Sequence, residues 1–190
     1  EGVNLQLNEL YCKDYINASR INLSEHHKYI ATQGPLESTL DDFWRMVWFE
    51  NIEVIIMLTN LSEKNEEKCH QYFPINYSKN ITAKPFTIKN LNPNKIYNNV
   101  IISKLKITYN TEEKTLYHCW YKGWPDYDCP KYTSDLINFH QEVFNLSKKI
   151  RNHIPLVHCS AGVGRTGVYI TYDYLYKTHI RNGISEIECN

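Results

Sequence analysis

The sequence lacks a net charge, because lysine and arginine together number 21 and aspartate and glutamate also number 21. Nucleic-acid-binding proteins are usually basic overall, so this balance argues against a nucleic-acid partner. A long apolar run is also missing: the longest lies near Val54–Leu58, far short of the ~20 residues that a membrane-spanning helix needs. No C-x-x-C pair is present, which removes the spacing typical of a zinc site.

The first residues, Glu1–Asn4, lack the basic start and apolar core of a signal peptide. An even number of cysteines could form three disulfides, but their spacing is wide and nothing marks the chain as secreted. We therefore expect reduced thiols and a cytoplasmic location, since disulfides are rare in reducing compartments. The six cysteines are Cys12, Cys69, Cys119, Cys129, Cys159 and Cys189.

The length of 190 residues and a hydrophobic fraction of 42% are ordinary for one folded domain. No internal repeat, low-complexity tract or linker composition divides the chain. We therefore treat residues 1–190 as a single domain, and we expect it to be monomeric.

Apolar periodicity predicts three helices. The first is capped by Ser38 or Thr39 and the second by Thr133 or Ser134. The predicted helices are Leu40–Glu50, Thr133–His153 and Val168–Thr178.

Runs rich in β-branched and aromatic residues predict strands, with a β-rich region over residues 74–131. A polar turn at Asn110–Lys114 would join two of them as a hairpin. The order of helices and strands predicts an α/β fold with a mixed, twisted β-sheet flanked by helices. The predicted strands are Val54–Leu58, Val100–Tyr109, Thr115–Trp120 and Pro155–His158.

The segment Val157–Gly167 carries the chemistry, because it joins a predicted buried strand to a predicted helix. A loop in that position can point successive backbone N–H groups inward, and the helix start adds a positive dipole. It can therefore hold a dianionic phosphate. Gly162, Gly164 and Gly167 would permit its tight path and close approach to neighbours.

Cys159 opens this loop, and the N–H dipoles together with Arg165 favour its ionised thiolate, a strong nucleophile. The planar guanidinium of Arg165 can bind two phosphate oxygens at once. Thr166 could donate a hydrogen bond to the sulfur when it leaves. Alternatively, the cysteine is a small core residue and the glycines form an ordinary turn.

The run His158-Cys159-(x)5-Arg165-Thr166 resembles the signature loop of the protein tyrosine phosphatases. Other blocks resemble that family in the same order, and Trp124-Pro125-Asp126 is similar to its mobile acid loop. The pattern is that of the tyrosine-specific branch, since dual-specificity enzymes lack the upstream blocks. These blocks are Asp14–Ser19, Ala31–Leu36, Asp42–Trp48 and Lys68–Pro74.

The resemblance implies the family fold, with a strand–phosphate loop–helix active site, and hydrolysis of phosphotyrosine in proteins through a cysteinyl-phosphate. It implies phosphotyrosyl proteins as partners, and neither a metal ion nor another cofactor. Cys159 would be the nucleophile, Arg165 the phosphate clamp and Asp126 the general acid. The phosphate-binding loop would be Cys159, Ser160, Ala161, Gly162, Val163, Gly164 and Arg165.

The resemblance also implies supporting roles. Glu63 would orient Arg165, and Lys68 would reach Asp126. Tyr72 would hydrogen-bond His158, and the pair would tune Cys159, while Gln33 would border the pocket and Trp124 and Pro125 would act as hinge and stiffener. Each has a plainer alternative: a solvated charged loop for Glu63 and Lys68, a satisfied core histidine, and a structural amide that ties loops together.

Three features depart from the family pattern. Asp128 replaces a glycine after the acid residue, which would stiffen the loop or require an unusual backbone angle. The family's substrate-stacking tyrosine has no equivalent, because Tyr11 and Tyr15 are too close to the first block, and the late water-positioning glutamine is not found. We therefore expect an incomplete domain.

The asparagine, lysine and isoleucine content indicates an AT-rich genome, and the chain resembles the phosphatases of parasitoid-wasp bracoviruses. An alternative function is a pseudophosphatase that binds phosphotyrosine with little turnover. A third is a protein-interaction domain with a vestigial pocket.

Overall fold

A computed structural model of the chain describes residues 1–5, 14–77, 79–130, 132–150 and 154–182. Cys12, Cys189, Tyr11 and the end of the second predicted helix at 151–153 lie outside the described residues. The helices are α1 (Leu40–Phe49), α2 (Thr133–Ser147) and α3 (Gly164–Asn182). The strands are β1 (Gly2–Asn4), β2 (Tyr15–Ser24), β3 (His27–Thr32), β4 (Val54–Met57), β5 (Ser62–Glu63), β6 (Glu66–Glu67), β7 (Asn80–Ala83), β8 (Phe86–Asn90), β9 (Lys95–Tyr97), β10 (Val100–Tyr109), β11 (Glu112–Tyr121) and β12 (Leu156–His158).

One mixed sheet organises the fold. Its order is β1-β2-β3-β12-β4-β11-β10-β8-β7, with β9 also paired to β10. The neighbours β3, β12, β4 and β11 are parallel, and the flanking pairs are antiparallel. This confirms the predicted α/β class with a mixed sheet. Among the described residues, no helix is both long and apolar enough to cross a membrane.

The strand β4 lies in the middle of the parallel part, between β12 and β11, and all four of its residues are buried. A continuous apolar run is what a strand covered on both faces requires. Ile55 and Met57 contribute to one core cluster, whereas Val54 and Ile56 contribute to the other. The prediction of a doubly covered strand is confirmed.

The helices cover opposite faces of this sheet. Helix α1 buries Phe43, Trp44, Val47 and Trp48 in the first cluster, which also holds Ile55. Helices α2 and α3 bury side chains in the second cluster, among them Phe139, Val143, Tyr169 and Ile170. The sheet is therefore the middle layer of three, and its parallel strands end together at one edge.

The hairpin of β10 and β11 is longer than predicted. The strands pair from Val100 with Tyr121 to Tyr109 with Glu112, leaving only Asn110 and Thr111 in the turn. Asn110 takes a positive φ of 53°, the conformation that two-residue hairpin turns favour. The polar residues 112–114 were predicted as turn, but they extend the strand at its exposed end.

The predicted N-cap position of the first helix is confirmed at Thr39, without the capping hydrogen bond, and that of the second helix is wrong. Thr39 is the N-cap residue of α1 but makes no side-chain capping hydrogen bond, and Tyr132 is the N-cap residue of α2. Thr39 Oγ1 instead accepts a hydrogen bond from the Leu36 N–H at 3.0 Å. Helix α2 ends at Ser147, six residues before the predicted end. Helix α3 begins at Gly164, four residues before the predicted start, so Arg165 and Thr166 lie in its first turn.

Candidate active site

The predicted phosphate loop lies where β12 ends and α3 begins, over residues 159–163. Gly162 has a φ of +77°, and a Cβ atom there would lie 2.5 Å from the backbone of Thr32. Only glycine meets both conditions. Gly34 is similarly required, since its Cβ would lie 2.9 Å from the Cys159 carbonyl oxygen, and its N–H donates to the Ser160 carbonyl at 2.9 Å. The end of β3 and the loop therefore fit backbone to backbone.

The structure contradicts the prediction that Gly164 and Gly167 serve the same purpose. A Cβ atom at either position would meet nothing within 4 Å, and neither residue has a positive φ. The reason is that α3 begins earlier than predicted, so both glycines have helical backbone. Close packing in this segment depends on Gly162 alone.

Four polar or nucleophilic side chains of the segment Val157–Gly167 are buried: His158, Cys159, Arg165 and Thr166 are 0%, 4%, 7% and 0% exposed. Thr166 Oγ1 is buried and has no hydrogen-bond partner among the described residues, Cys159 Sγ included. A buried hydroxyl without a partner costs free energy, so its donor is available to an incoming group or a departing sulfur.

Arg165 extends from the first turn of α3, and both of its terminal nitrogens donate hydrogen bonds. Its Nη1 donates to the carbonyl oxygens of Leu58 and Trp124, at 3.0 Å each. Its Nη2 donates to Asp126 Oδ1 at 2.7 Å. These contacts join α3 to the end of β4 and to the acid loop 124–130. Burial alone would lower the pKa of the guanidinium, but its bonds to Glu63 and Asp126 raise it, so the charge is permanent.

Glu63 forms a bidentate pair with Arg165, through Oε1 to Nη1 at 2.8 Å and Oε2 to Nη2 at 3.1 Å. Its carboxylate also accepts hydrogen bonds from Thr59 Oγ1, the Asn60 N–H and the Asp126 N–H. Partial burial raises the pKa of Glu63, but the bonds from Arg165 and Asn60 outweigh it and hold the pKa below its ordinary value. Five donors on one carboxylate fix the guanidinium plane.

Asp126 lies against two cations. Its Oδ1 accepts from Arg165, and its Oδ2 lies 3.2 Å from Lys68 Nζ. Lys68 is shared with Glu66 at 2.7 Å. Partial burial raises the pKa of Asp126, but hydrogen bonds from Arg165 and Lys68 outweigh this effect and lower the pKa. The carboxyl is therefore ionised in this arrangement.

The acid loop turns sharply after Asp126. Trp124 is buried in the second core cluster, and its Nε1 donates to the Asp128 carbonyl at 2.9 Å, closing the turn. The strained residue is Tyr127, with a φ of 58° and 97% exposure, and not Asp128 as predicted. Asp128 instead caps the turn, because its Oδ1 accepts from the Cys129 N–H at 2.7 Å.

Behind the loop, the Tyr72 hydroxyl oxygen lies 2.7 Å from His158 Nε2, and His158 Nδ1 lies 3.0 Å from the Cys159 carbonyl oxygen. Both side chains are completely buried. Burial lowers the pKa of His158 to about 4, so the imidazole is neutral near pH 7. The histidine thus contacts the nucleophile through its backbone and not through its sulfur.

Gln33 lies beside the loop and lines a groove with Ala161, Gly162 and Thr166. Its Oε1 also accepts a hydrogen bond from Asn17 Nδ2 at 2.6 Å. The position therefore fits both interpretations of this glutamine, a pocket border and an amide that ties β2 to the loop after β3.

Sequence reasoning missed several residues that support the site. The carbonyls of Leu58 and Trp124 bind Arg165, and Thr59 and Asn60 bind Glu63. His118 is buried in β11 and contacts Tyr72 at 2.7 Å. A histidine among apolar residues of a predicted strand is a signal that a buried partner is needed. The backbone carbonyls carry no such signal.

No group of three or more His, Cys, Asp or Glu side chains lies close enough together within the described ranges to hold a metal ion. The predicted clamp and acid, Arg165 and Asp126, contact each other, Arg165 also pairs with Glu63, and Asp126 also pairs with Lys68. The predicted nucleophile Cys159 follows the end of β12, six residues before Arg165, so the segment brings a thiol, a cation and a carboxyl group into one part of the fold. That combination suits transfer of a phosphoryl group to sulfur.

Comparison with known proteins supports the family that the signature loop resembles. A protein-tyrosine phosphatase family model matches residues 3–188. Tyrosine-protein phosphatase 69D of Drosophila melanogaster is 40% identical over 183 residues, which is 90% of this chain and 12% of that protein. Tyrosine-protein phosphatase non-receptor type 5 of Mus musculus is 37% identical over 177 residues, 91% of this chain and 32% of that protein.

A third relative, the phosphatidylinositol phosphatase PTPRQ of Rattus norvegicus, is 40% identical over 184 residues, 89% of this chain and 7% of that protein. The chain spans a third or less of the length of these relatives. Because the family model covers nearly the whole sequence and the relatives agree with it, the chain belongs to the protein-tyrosine phosphatase family.

Proposed function

We propose that this domain hydrolyses phosphotyrosine in proteins through a phosphocysteine intermediate at Cys159. The observation that carries the proposal is the bonding of Arg165. Its guanidinium lies in the first turn of the helix that follows the Cys159 loop, and it contacts both Glu63 and Asp126. One cation therefore joins the anion-binding loop to the carboxyl group that would transfer the proton.

In the first step, Cys159 Sγ attacks phosphorus, the bond from phosphorus to the tyrosyl oxygen breaks, and Asp126 donates its proton to that oxygen. Asp126 must then be protonated, although its contacts with Arg165 and Lys68 lower its pKa here. A phosphate dianion bound to Arg165 would displace the carboxylate from Nη2. Loss of that bond and the nearby negative charge both favour the protonated acid.

In the second step, water attacks the phosphocysteine, Asp126 takes a proton from the water, and the thiolate leaves with the electron pair of the S–P bond. The buried Thr166 hydroxyl, which has no partner in the part of the chain that the structure describes, supports this step, because it can donate to a sulfur that regains negative charge. Glu63 keeps Arg165 oriented throughout, because its hydrogen bonds from Thr59 Oγ1 and the Asn60 N–H come from outside the acid loop.

Hydrolysis of a phosphotyrosyl peptide by the wild type, Cys159→Ser and Asp126→Ala tests the proposal. We expect wild-type turnover, no turnover with Cys159→Ser, and substrate binding with slow turnover for Asp126→Ala. Wild-type binding without turnover would support a pseudophosphatase, and neither binding nor turnover would support an interaction domain.

Two further arms define the reaction class. A metal chelator is expected to leave the rate unchanged, since no step uses a metal; a large loss would contradict the mechanism. A phosphoinositide should be a poorer substrate than the peptide. Faster hydrolysis of the lipid would instead favour a phosphatidylinositol phosphatase activity, for which the PTPRQ relative is named.

We propose that the protein works in the cytoplasm, as a monomer. The described cysteines Cys69, Cys119, Cys129 and Cys159 are free, and the mechanism requires a reduced thiol. Oxidation of Cys159 would abolish the reaction. Loss of activity after mild oxidation, with recovery on adding dithiothreitol, is the expected result.

A further inference from the structure

A buried polar chain lies behind the phosphate loop and includes a residue outside the reaction steps. The Tyr72 hydroxyl oxygen lies between two imidazole nitrogens, His158 Nε2 and His118 Nε2, at 2.7 Å from each. All three side chains are completely buried. His118 comes from β11, two strands away from β12, with β4 between them.

The Cys159 carbonyl oxygen, at the end of this chain of hydrogen bonds, determines where each proton lies. His158 Nδ1 lies 3.0 Å from the Cys159 carbonyl oxygen, which can only accept, so this nitrogen carries the proton. Because burial lowers the pKa of His158 to about 4, the neutral ring has only one proton near pH 7. His158 Nε2 is therefore bare, and Tyr72 donates to it.

Tyr72 has a single hydroxyl proton, so its oxygen must accept from its other neighbour. His118 Nε2 therefore carries a proton and donates to Tyr72. Burial lowers the pKa of His118, which leaves Nδ1 bare in the neutral ring. His118 Nδ1 indeed has no partner among the described residues, and an orphaned N–H there would be costly. The sulfur of Met57, at 3.8 Å, is a weaker acceptor for Tyr72 than His158.

We propose that His118 is a positioning residue, the first donor in an ordered chain that runs from His118 through Tyr72 and His158 to the Cys159 carbonyl. Each hydrogen bond in such a chain polarises the next one. A trans peptide places its N–H opposite its C=O. Polarising the Cys159 carbonyl therefore strengthens the Ser160 N–H as a donor on the side away from His158.

Aromatic rings and neutral thiols surround this chain of hydrogen bonds. Phe73 stacks on His118 with ring centroids 3.9 Å apart, and Phe43 from α1 packs against Tyr72 at 4.6 Å. Among the described residues, the other titratable groups that act on Tyr72 are the thiols of Cys69 and Cys119. Burial raises the pKa of each to about 12, so neither titrates between pH 5 and 9.

Nitrogen-15 NMR of the imidazole rings tests the proton order directly in the wild type. We expect His118 to be protonated at Nε2 and His158 at Nδ1, and both rings to stay neutral down to about pH 5. The opposite tautomer at His118, or a protonated His118 ring at pH 7, would overturn the proposal. This measurement does not depend on the proposed activity.

The effect on the reaction, which rests on the proposed function, is tested with His118→Leu and His118→Gln. Leucine removes the donor, whereas the glutamine amide can donate to Tyr72 without titrating. We expect His118→Leu to move the acid limb of kcat/KM to higher pH, with a loss of about three- to ten-fold below pH 6, the value of one net hydrogen bond. His118→Gln should restore the wild-type profile.

Leu116→Ala is the matched control, because Leu116 lies two residues away on β11 and is buried in the first core cluster. It should lower the melting temperature and leave the acid limb in place. An equal shift in this control, or no shift in His118→Leu, would contradict the positioning role. If His118→Leu does not fold, absence of the wild-type profile in His118→Gln would contradict it instead. If the wild type shows no turnover, the proposed function is wrong. The measured tautomers of His118 and His158 still test the order of the hydrogen-bond donors.

Discussion

The two loops that meet at Arg165 differ in how they are held. The loop after β12 is fixed at several points although Val163 is 74% exposed: Cys159 is 4% exposed, Gly162 packs against the backbone of Thr32, and His158 is fixed by Tyr72. The acid loop 124–130 is anchored by the buried Trp124 but exposes Tyr127 almost completely. Its acid residue reaches the buried part through charge contacts with Arg165 and Lys68.

This difference suits the two tasks. A group that stabilises charge works best when its donors are already in place, because reorganising them costs free energy. A group that delivers a proton must let substrate enter and product leave, and few apolar contacts make such movement cheap. Arg165 belongs to both regions, so its substitution should disturb both.

Arg165→Lys should have the largest effect, a loss of about a thousand-fold in kcat/KM, because a lysine cannot bind two phosphate oxygens and Glu63 in one plane. Steady-state kinetics with a phosphotyrosyl peptide measures it. Arg20→Lys is the matched control, since Arg20 pairs with Glu50 at 2.7 Å away from the site. Comparable losses in both variants would contradict a specific clamp.

Asp126→Asn removes the proton donor and leaves the loop after β12 intact. We expect kcat to fall about a hundred-fold, within the usual range for general acid catalysis, and the pH dependence due to this carboxyl to disappear. Asp128→Asn keeps the acceptor for the Cys129 N–H and should stay within about two-fold of wild type. A similar fall in Asp128→Asn would assign the effect to loop folding.

Acid should lower the free energy of unfolding through His158. Its folded pKa of about 4 lies below the ordinary value, so its stabilising contribution is complete above about pH 6.5 and is lost as the pH falls toward 4. The expected loss in unfolding free energy is about 3 kcal/mol. Urea unfolding at several pH values measures it. An equally steep dependence in His158→Gln would assign the effect to other groups.

Gly162→Ala should destabilise the fold by about 2 kcal/mol, because the new Cβ would meet the Thr32 backbone at a positive φ. Gly164→Ala is the matched comparison: its Cβ meets open space in a helix, so stability should rise slightly. Thermal unfolding compares the two variants. Equal effects would mean that the loop is not packed as described.

Tyr127→Gly should have the smallest effect on stability, because two opposing contributions nearly cancel. Glycine adopts a positive φ without strain, but it also gains freedom in the unfolded chain, so a net change within about 1 kcal/mol is expected. Thermal unfolding is again the measurement. A loss as large as that of Gly162→Ala would show that the acid loop is as tightly packed as the phosphate loop.

Much of the fold could be predicted from the sequence. The apolar run of β4 and the periodicity of α1 carry their own signals, because burial on two faces and burial on one helical stripe demand different patterns. The order of helices and strands along the chain then predicted the mixed sheet. Element ends were predicted less well, since the caps at Thr39 and Thr133 depend on local geometry that composition does not determine.

In the active site, too, some contacts could be predicted from the sequence and others could not. The contacts of Arg165 with Glu63 and of Asp126 with Lys68 could be predicted from sequence motifs. Contacts made by backbone carbonyls could not, because every residue has one and only the fold selects Leu58 and Trp124. The positive φ at Tyr127 was likewise hidden, since a departure at Asp128 drew the expectation to the wrong residue.

The central claim is that a phosphoryl group passes through the sulfur of Cys159. Asp126 acts in both steps, so the wild type is used: mass spectrometry of the enzyme, rapidly quenched during turnover of a phosphotyrosyl peptide, is the most direct test. We predict one phosphoryl group, located on Cys159. Phosphorylation of another residue, or hydrolysis of the peptide by Cys159→Ser, would contradict the mechanism.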